Sequence, residues 1–321
     1  MRRVFDYYRQ FQELTPEERS RALREERASH PAPPAPAVDL SGAAWPGPPH
    51  AEAINAATFA LRRAVNAYPD AGPLRASIAA AHGIDPARVM IGHGAGELLG
   101  AALRAVGGSA VEIVWPGWGL LPRLVREAGA TPLPVRAPSG TRTAVVCRPN
   151  DPTGAVDALS PGSHWLIVDE ALAGFLDEPP PVLDHPRVIQ VRSFSKDHAL
   201  AGLRVGYAIV PDGGPDLTPV LGVGAVALAA AQWAVSEGEP AVARRRAVVS
   251  AQRERLAAVC PVVPGVGPYA WVALPVAEAL AARRIYVAPG AAWGDEAHVR
   301  VTLGNEAGVA RLLSELTDLS V

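Results

Sequence analysis

SFSKDHALAGLRVGY, residues 193–207, lies between two apolar runs, RVIQVRS (187–193) and RVGYAIV (204–210). A third run, HWLIVDE (164–170), precedes them. Near-continuous apolar runs bounded by polar residues belong to strands covered on both faces, as in a parallel sheet with helical crossovers. Working outward, the punctuation predicts strands at Val89–Ile91, Ala110–Val114 and Thr143–Cys147. Helices are predicted at Ala51–Val65, Leu74–His82, Gly96–Val106 and Leu120–Ala128. Beyond Pro211 the pattern turns helical, over Ala225–Ser236 and Pro240–Val259. The second of these carries Arg244, Arg245, Arg246, Arg253 and Arg255, and is expected on the surface between two lobes. YAWVAL (269–274), RRIYVAP (283–289) and HVRVTLG (298–304) are strand candidates, and a last helix is expected at Asn305–Leu316. The resulting plan is a large α/β lobe over 51–235 and a small α+β lobe over 236–321. At the other end, Thr15, Pro16 and Glu18 form a helix-start signature predicting a helix to about Ala28. PAPPAPA (31–37) then makes an extended connector, so that 1–50 reads as an N-terminal arm.

Composition narrows the function. Thirty basic against 32 acidic residues give a formal charge of -2, which offers no electrostatic reason to bind nucleic acid. Two cysteines, Cys147 and Cys260, cannot make a disulfide framework or a structural zinc site. The first 20 residues lack the apolar core of a secretory signal. The most lipid-like stretch, Leu221–Val235, is shorter than the ~20 residues a spanning helix needs and is expected to be a buried helix. A cytoplasmic protein with no membrane partner is expected.

Lys196 directly follows a predicted buried strand, where lysines are rare. Asp169, in VDEAL, ends another such strand 27 residues earlier. An amine and a carboxylate at neighbouring strand ends suit a Schiff base with an aldehyde and a partner for a protonated ring nitrogen. The spacing alone is equally compatible with a salt bridge and a solvated loop lysine.

The chain carries YPD (68–70), GHGAGE (92–97), WPGW (115–118), RPNDPTG (148–154), VDEA (168–171), SFSK (193–196), GLRVGY (202–207) and HVRVTLG (298–304). In this order, at predicted strand ends and helix starts, the motifs resemble the fold-type-I pyridoxal-phosphate aminotransferases of class I/II. Specifically, they resemble the group containing histidinol-phosphate aminotransferases and threonine-phosphate decarboxylases. The resemblance runs from about Asp39 to the C-terminus. It implies a large lobe with a mostly parallel seven-stranded sheet between helices, a small C-terminal lobe, and pyridoxal 5'-phosphate as cofactor. It further implies that Lys196 holds the cofactor and moves the substrate proton, Asp169 faces the ring nitrogen and Trp118 stacks on the ring. The phosphate would meet the backbone of Ala95 and Gly96, Ser193 and Arg204. Tyr68 would reach the phosphate of a partner subunit in a homodimer.

The same resemblance makes Arg300 the anchor for the carboxylate of an amino-acid substrate. A second arginine common in the histidinol-phosphate group is Ala288 here, which disfavours a phosphorylated donor. Two other positions depart from the pattern. The asparagine expected before Pro-Thr-Gly, a donor to the cofactor's ring oxygen, is Asp151, preceded by Asn150. The tyrosine expected three residues after Asp169 is Leu172. Asp151 could share a proton with the ring oxygen, or turn to an arginine while Asn150 donates. The implied activity is transfer of an amino group from an α-amino acid to a keto acid or related carbonyl acceptor. A histidinol-phosphate aminotransferase or threonine-phosphate decarboxylase type is the alternative. The altered Asp151 and Leu172 positions also raise an inactive, regulatory or structural dimer descended from such an enzyme. His93, His164 and His198 are scattered and expected to be ordinary polar histidines.

Overall fold

Runs of aliphatic residues build the middle of the main sheet in the computed structural model, which describes residues 15–21 and 36–318. In chain order the strands are β1 (Val38–Asp39), β2 (Val89–Gly92), β3 (Ala110–Val114), β4 (Thr131–Val135), β5 (Ala144–Cys147) and β6 (Leu166–Asp169). They continue with β7 (Val188–Ser193), β8 (Gly206–Ile209), β9 (Tyr269–Val272), β10 (Ile285–Tyr286), β11 (Ala288–Pro289) and β12 (Val299–Thr302). The helices from residue 38 onward are α1 (Ala51–Arg63), α2 (Gly72–His82), α3 (Ala95–Val106), α4 (Leu121–Glu127), α5 (Ala225–Glu237), α6 (Glu239–Ala257), α7 (Ala277–Ala282) and α8 (Glu306–Asp318).

The main sheet has the order β2-β8-β7-β6-β5-β3-β4, and β8 alone runs against its neighbours. Every residue of β5, β6 and β7 is buried, which explains why these strands read as unbroken apolar runs. One face packs Ile113, Ile167, Ile189 and Val191 against Leu98, Leu99 and Leu103 of α3. Each such side chain contributes about 1.5–3 kcal/mol on burial. In a separate cluster, α1, α2 and α5 pack around Val89, Ile91 and Val205. A three-stranded sheet, β11-β12-β9, forms with α6 and α8 the second large core, which includes Leu40 from just after β1.

The fold class is the α/β arrangement expected, with several local differences. β4 was not predicted, because TPLPV carries two prolines; it lies at the sheet edge, where a missing N–H leaves no ladder bond unmade. RRIYVAP is not one strand: β10 pairs with β1, and β11 with β12. The segment from Val38, expected within an N-terminal arm, instead pairs with β10, and Leu40 is fully buried. α6, expected at the surface, buries Arg245, whose guanidinium donates to the Asp197 and Pro48 carbonyls and lies over the Trp45 ring. The buried helix expected over Leu221–Val235 begins only at Ala225, with Leu221 exposed.

The chain divides between Ala37 and Val38. On the N-terminal side, Thr15 and Glu18 cap a short helix reciprocally, Thr15 N–H donating to Glu18 Oε2 at 2.9 Å. The predicted remainder of that helix, and most of PAPPAPA, fall in 22–35, outside the described residues. No described helix is long and apolar enough to cross a membrane.

Candidate active site

Parallel strands deliver their C-terminal ends to one edge of a sheet, and ligands of open α/β sheets bind there. Asp169 is the last residue of β6 and Ser193 the last of β7, with Lys196 three residues on. The loops after β3 and β5 bring Trp118 and Asp151 to the same edge. Together with Ala95, Gly96 and Arg204, these side chains and backbone groups line a cavity of about 200 Å³.

At one end the cavity meets the start of α3. The first N–H groups of a helix have no intrahelical acceptor and carry its positive dipole end. Gly94, before the helix, has φ +88°, and a Cβ there would lie 2.8 Å from Arg204 Nη2. A Cβ on Gly96 would crowd Trp118 at 3.3 Å. Arg204 donates to the carbonyls of Ala201 at 3.0 Å and His93 at 3.3 Å. Arg204 and Ala199 both have left-handed backbones, φ +51° and +59°, at roughly 1–2 kcal/mol each. Such strain concentrates at working sites. Ser193 Oγ accepts from Ser195 N–H at 3.0 Å, which fixes the turn into Lys196.

Asp169 and Lys196 occupy the centre. Burial raises the Asp169 carboxyl from 3.8 to about 6, against the lowering influence of Ala171 N–H at 3.0 Å and the Cys147 thiol at 3.6 Å. Burial lowers the Lys196 amine, helped by the positive charges of Arg300 and Arg204 and opposed by Asp151 and Asp169. A lysine so placed is more available as a neutral nucleophile.

The far end departs from expectation. Arg300 does not line the cavity; Asp151 and Tyr269 do. Asp151 Oδ1 accepts from Arg300 Nη1 at 2.6 Å, and the pair is buried on both sides. Arg300 Nη2 donates to the Ser41 carbonyl at 2.8 Å, while Nε is buried without a partner. Its guanidinium carbon sits 4.3 Å from the Tyr269 ring centre and 5.1 Å from that of Trp293. Asn150 is also outside the cavity. Its amide donates to the Pro116 carbonyl at 2.9 Å and accepts from the Thr153 hydroxyl at 2.9 Å, bracing two loops together. Asp151 is turned toward an arginine, as one of the two arrangements had it, but it still lines the cavity, and Asn150 does not. Leu172 lines the wall as an apolar residue.

The loop that carries Asp151 is clasped to the approach to β9. Val266 N–H donates to the Gly154 carbonyl at 2.9 Å. Gly154 has φ +74°, and a Cβ there would fall 2.8 Å from Val266 N.

Tyr68 lies elsewhere, 97% exposed, beside a groove that includes Phe59, Pro73 and Leu228. His93, His164 and His198 are not in the cavity wall either. Sequence reasoning missed Tyr269, Ala43 and Cys147 as wall residues; Tyr269 opens the recognised strand YAWV, but nothing local marks which face it presents.

A family model for aminotransferase class I and II matches residues 38–316. The chain belongs to the class I and II aminotransferases. An aromatic amino acid aminotransferase of Mycobacteroides abscessus is 32% identical over 78% of this chain and 84% of its own length. One from Cutibacterium acnes is 33% identical over 57% of this chain and 62% of its own, so that alignment spans less than two thirds of the relative. A histidinol-phosphate aminotransferase of Rubrobacter xylanophilus is 37% identical over 50% and 55%. Among solved structures, a Thermus thermophilus aspartate aminotransferase double mutant superposes with a TM-score of 0.76 at 21% identity, covering 98% of this chain and 99% of that one. The fold of this aminotransferase is therefore fold type I, a family that generally uses pyridoxal phosphate.

Proposed function

We propose that this aminotransferase is pyridoxal-phosphate-dependent and moves the amino group of an α-amino acid to a keto acid or related carbonyl acceptor. The observation that carries this is the convergence of Lys196, Asp169, Ser193 and Arg204 on one cavity. The donor set fits the cofactor. A guanidinium fork, a hydroxyl and a glycine-flanked helix start suit a phosphate dianion. The Asp169 carboxyl, raised to about 6 by burial, is the group to which a cationic ring nitrogen returns most. Trp118, across from Gly96, offers a flat face.

Bound there, pyridoxal phosphate would supply an aldehyde that condenses with amines and a ring that withdraws electrons from a Cα bond. Lys196 would hold it covalently at rest and, once released, carry the proton to and from the substrate Cα. Asp169 would keep the ring nitrogen protonated. Arg204, Ser193 and the first amides of α3 would fix the phosphate, and with it the angle between ring and substrate. Arg300, behind Asp151, would hold the substrate carboxylate only in place of Asp151.

Reduction with borohydride followed by peptide mass spectrometry should place the adduct on Lys196, and Lys196→Ala should lower turnover by at least about 10³-fold. An adduct elsewhere, or none, overturns the proposal. A phosphorylated donor is disfavoured because Ala288, cross-strand from Arg300, offers no second cation. We further propose a homodimer in which Tyr68 reaches the partner's phosphate site, supported by its full exposure next to an apolar groove. Light scattering that finds an active monomer would refute it.

A further inference from the structure

The wall between the cavity and Arg300 is a side chain of opposite charge. Asp151 presents one face to the cavity and accepts from Arg300 Nη1 at 2.6 Å on the other. The second fork nitrogen is held by the Ser41 carbonyl at 2.8 Å. The Tyr269 and Trp293 ring centres lie 4.3 and 5.1 Å from the guanidinium carbon. Asp151 lines the cavity and Arg300 behind it does not, so a carboxylate coming from the cavity meets Asp151 before the fork. The fork already has its bond to a carboxylate, of the same kind and length as a bound substrate would make.

Resting on the aminotransferase assignment above, we propose that Asp151 is a specificity-determining residue: a built-in carboxylate that competes with the substrate's α-carboxylate for Arg300. If both carboxylates stayed, one guanidinium would face two like charges in a buried place, so one must leave. The Asp151 backbone is held close to the clasp between Gly154 and Val266, so the exchange proceeds by rotation of the Asp151 side chain. The competition handicaps donors that carry an α-carboxylate and does not touch donors that lack one. An α-amino acid is then a substrate whose KM includes the displacement of Asp151, and an amine of the same skeleton is penalised less than an uncovered arginine would penalise it.

The matched pair L-phenylalanine and 2-phenylethylamine differs in that carboxylate alone. In the wild-type holoenzyme and in Asp151→Asn and Asp151→Ser, kcat and KM are measured for both donors, and 3-phenylpropanoate binding is titrated by calorimetry on the same preparations. The expected result is at least a tenfold rise in the ratio of kcat/KM for L-phenylalanine to kcat/KM for 2-phenylethylamine in both variants, carried mainly by KM for L-phenylalanine. Binding of 3-phenylpropanoate should tighten by a similar factor. Unchanged or weaker 3-phenylpropanoate binding in the folded variants overturns the proposal and makes Asp151 a brace or an orienting group. A KM rise for L-phenylalanine does the same. If the purified protein shows no visible absorbance after incubation with pyridoxal phosphate, the functional assignment fails instead. The calorimetric comparison still decides whether Asp151 obstructs Arg300, because it needs no turnover.

Discussion

Two arginine–carboxylate pairs are buried among the described residues, and they are finished differently. Arg192 in β7 and Glu170 just after β6 form a hydrogen-bonded network beside a second cavity. Nε donates to Glu170 at 2.8 Å, Nη2 to the Pro180 carbonyl at 2.7 Å, and Nη1 lies 3.1 Å from His82 Nε2. Glu170 also accepts from Gln190 at 3.1 Å. Arg300 and Asp151 are bonded as tightly but incompletely, with Arg300 Nε unpartnered and Asp151 open to the cavity. A buried ion pair is costly unless its remaining hydrogen-bonding capacity is filled. The filled one is scaffold. The other keeps a charge near its exchange partner, which a site for anions requires.

The contrast would break most visibly at Glu170. Glu170→Ala should cost about 3–5 kcal/mol of stability, because it removes the carboxylate that pairs a buried guanidinium. Equilibrium denaturation checks this, and a cost below 1 kcal/mol would show that the network is not structural.

Asp169 sharpens the comparison as a buried carboxylate with no arginine at all. Its carboxyl is raised from 3.8 to about 6, so the protein without cofactor loses roughly 3 kcal/mol from this group as pH rises through that interval. The sign follows from proton binding: between these values the folded state holds the proton and the unfolded state has released it. Asp169→Asn should stabilise the cofactor-free protein by up to that amount at pH 8 and by nothing below about pH 4. A pH-independent difference would contradict the assignment of burial as the cause.

The smallest effect is expected at Asp151. Asp151→Ala should cost only about 1–2 kcal/mol, since Arg300 keeps the Ser41 carbonyl and its two aromatic neighbours and gains access to the cavity. Added acetate should raise the melting temperature of this variant, the anion taking the place of the lost carboxylate. An unchanged melting temperature would show that small anions do not reach Arg300.

The legibility of these features in the sequence follows their range. Asp169, Ser193 and Lys196 announce themselves because each stands immediately beyond an apolar run, and the chemistry needs them at strand ends. The glycines before α3 are legible for the same local reason. Arg300 and Asp151 are 149 positions apart, and their pairing depends on the registers of β9, β11 and β12 and on a turn after β5. No window of sequence contains that information. Arg245 is a different failure: in an arginine-rich helix nothing local reveals that one guanidinium faces inward to the Asp197 carbonyl. β4 was hidden by its prolines, which only an edge position excuses.

The clasp between Gly154 and Val266 has a mechanical consequence. It ties the loop that leaves the main sheet after β5 to the chain entering the C-terminal sheet, within a few residues of both Asp151 and Tyr269. Its bond is made by main-chain atoms alone, so the tie between the two sheets survives any change of the Asp151 side chain, whereas a Cβ at Gly154 would press on the Val266 backbone and loosen the seam itself.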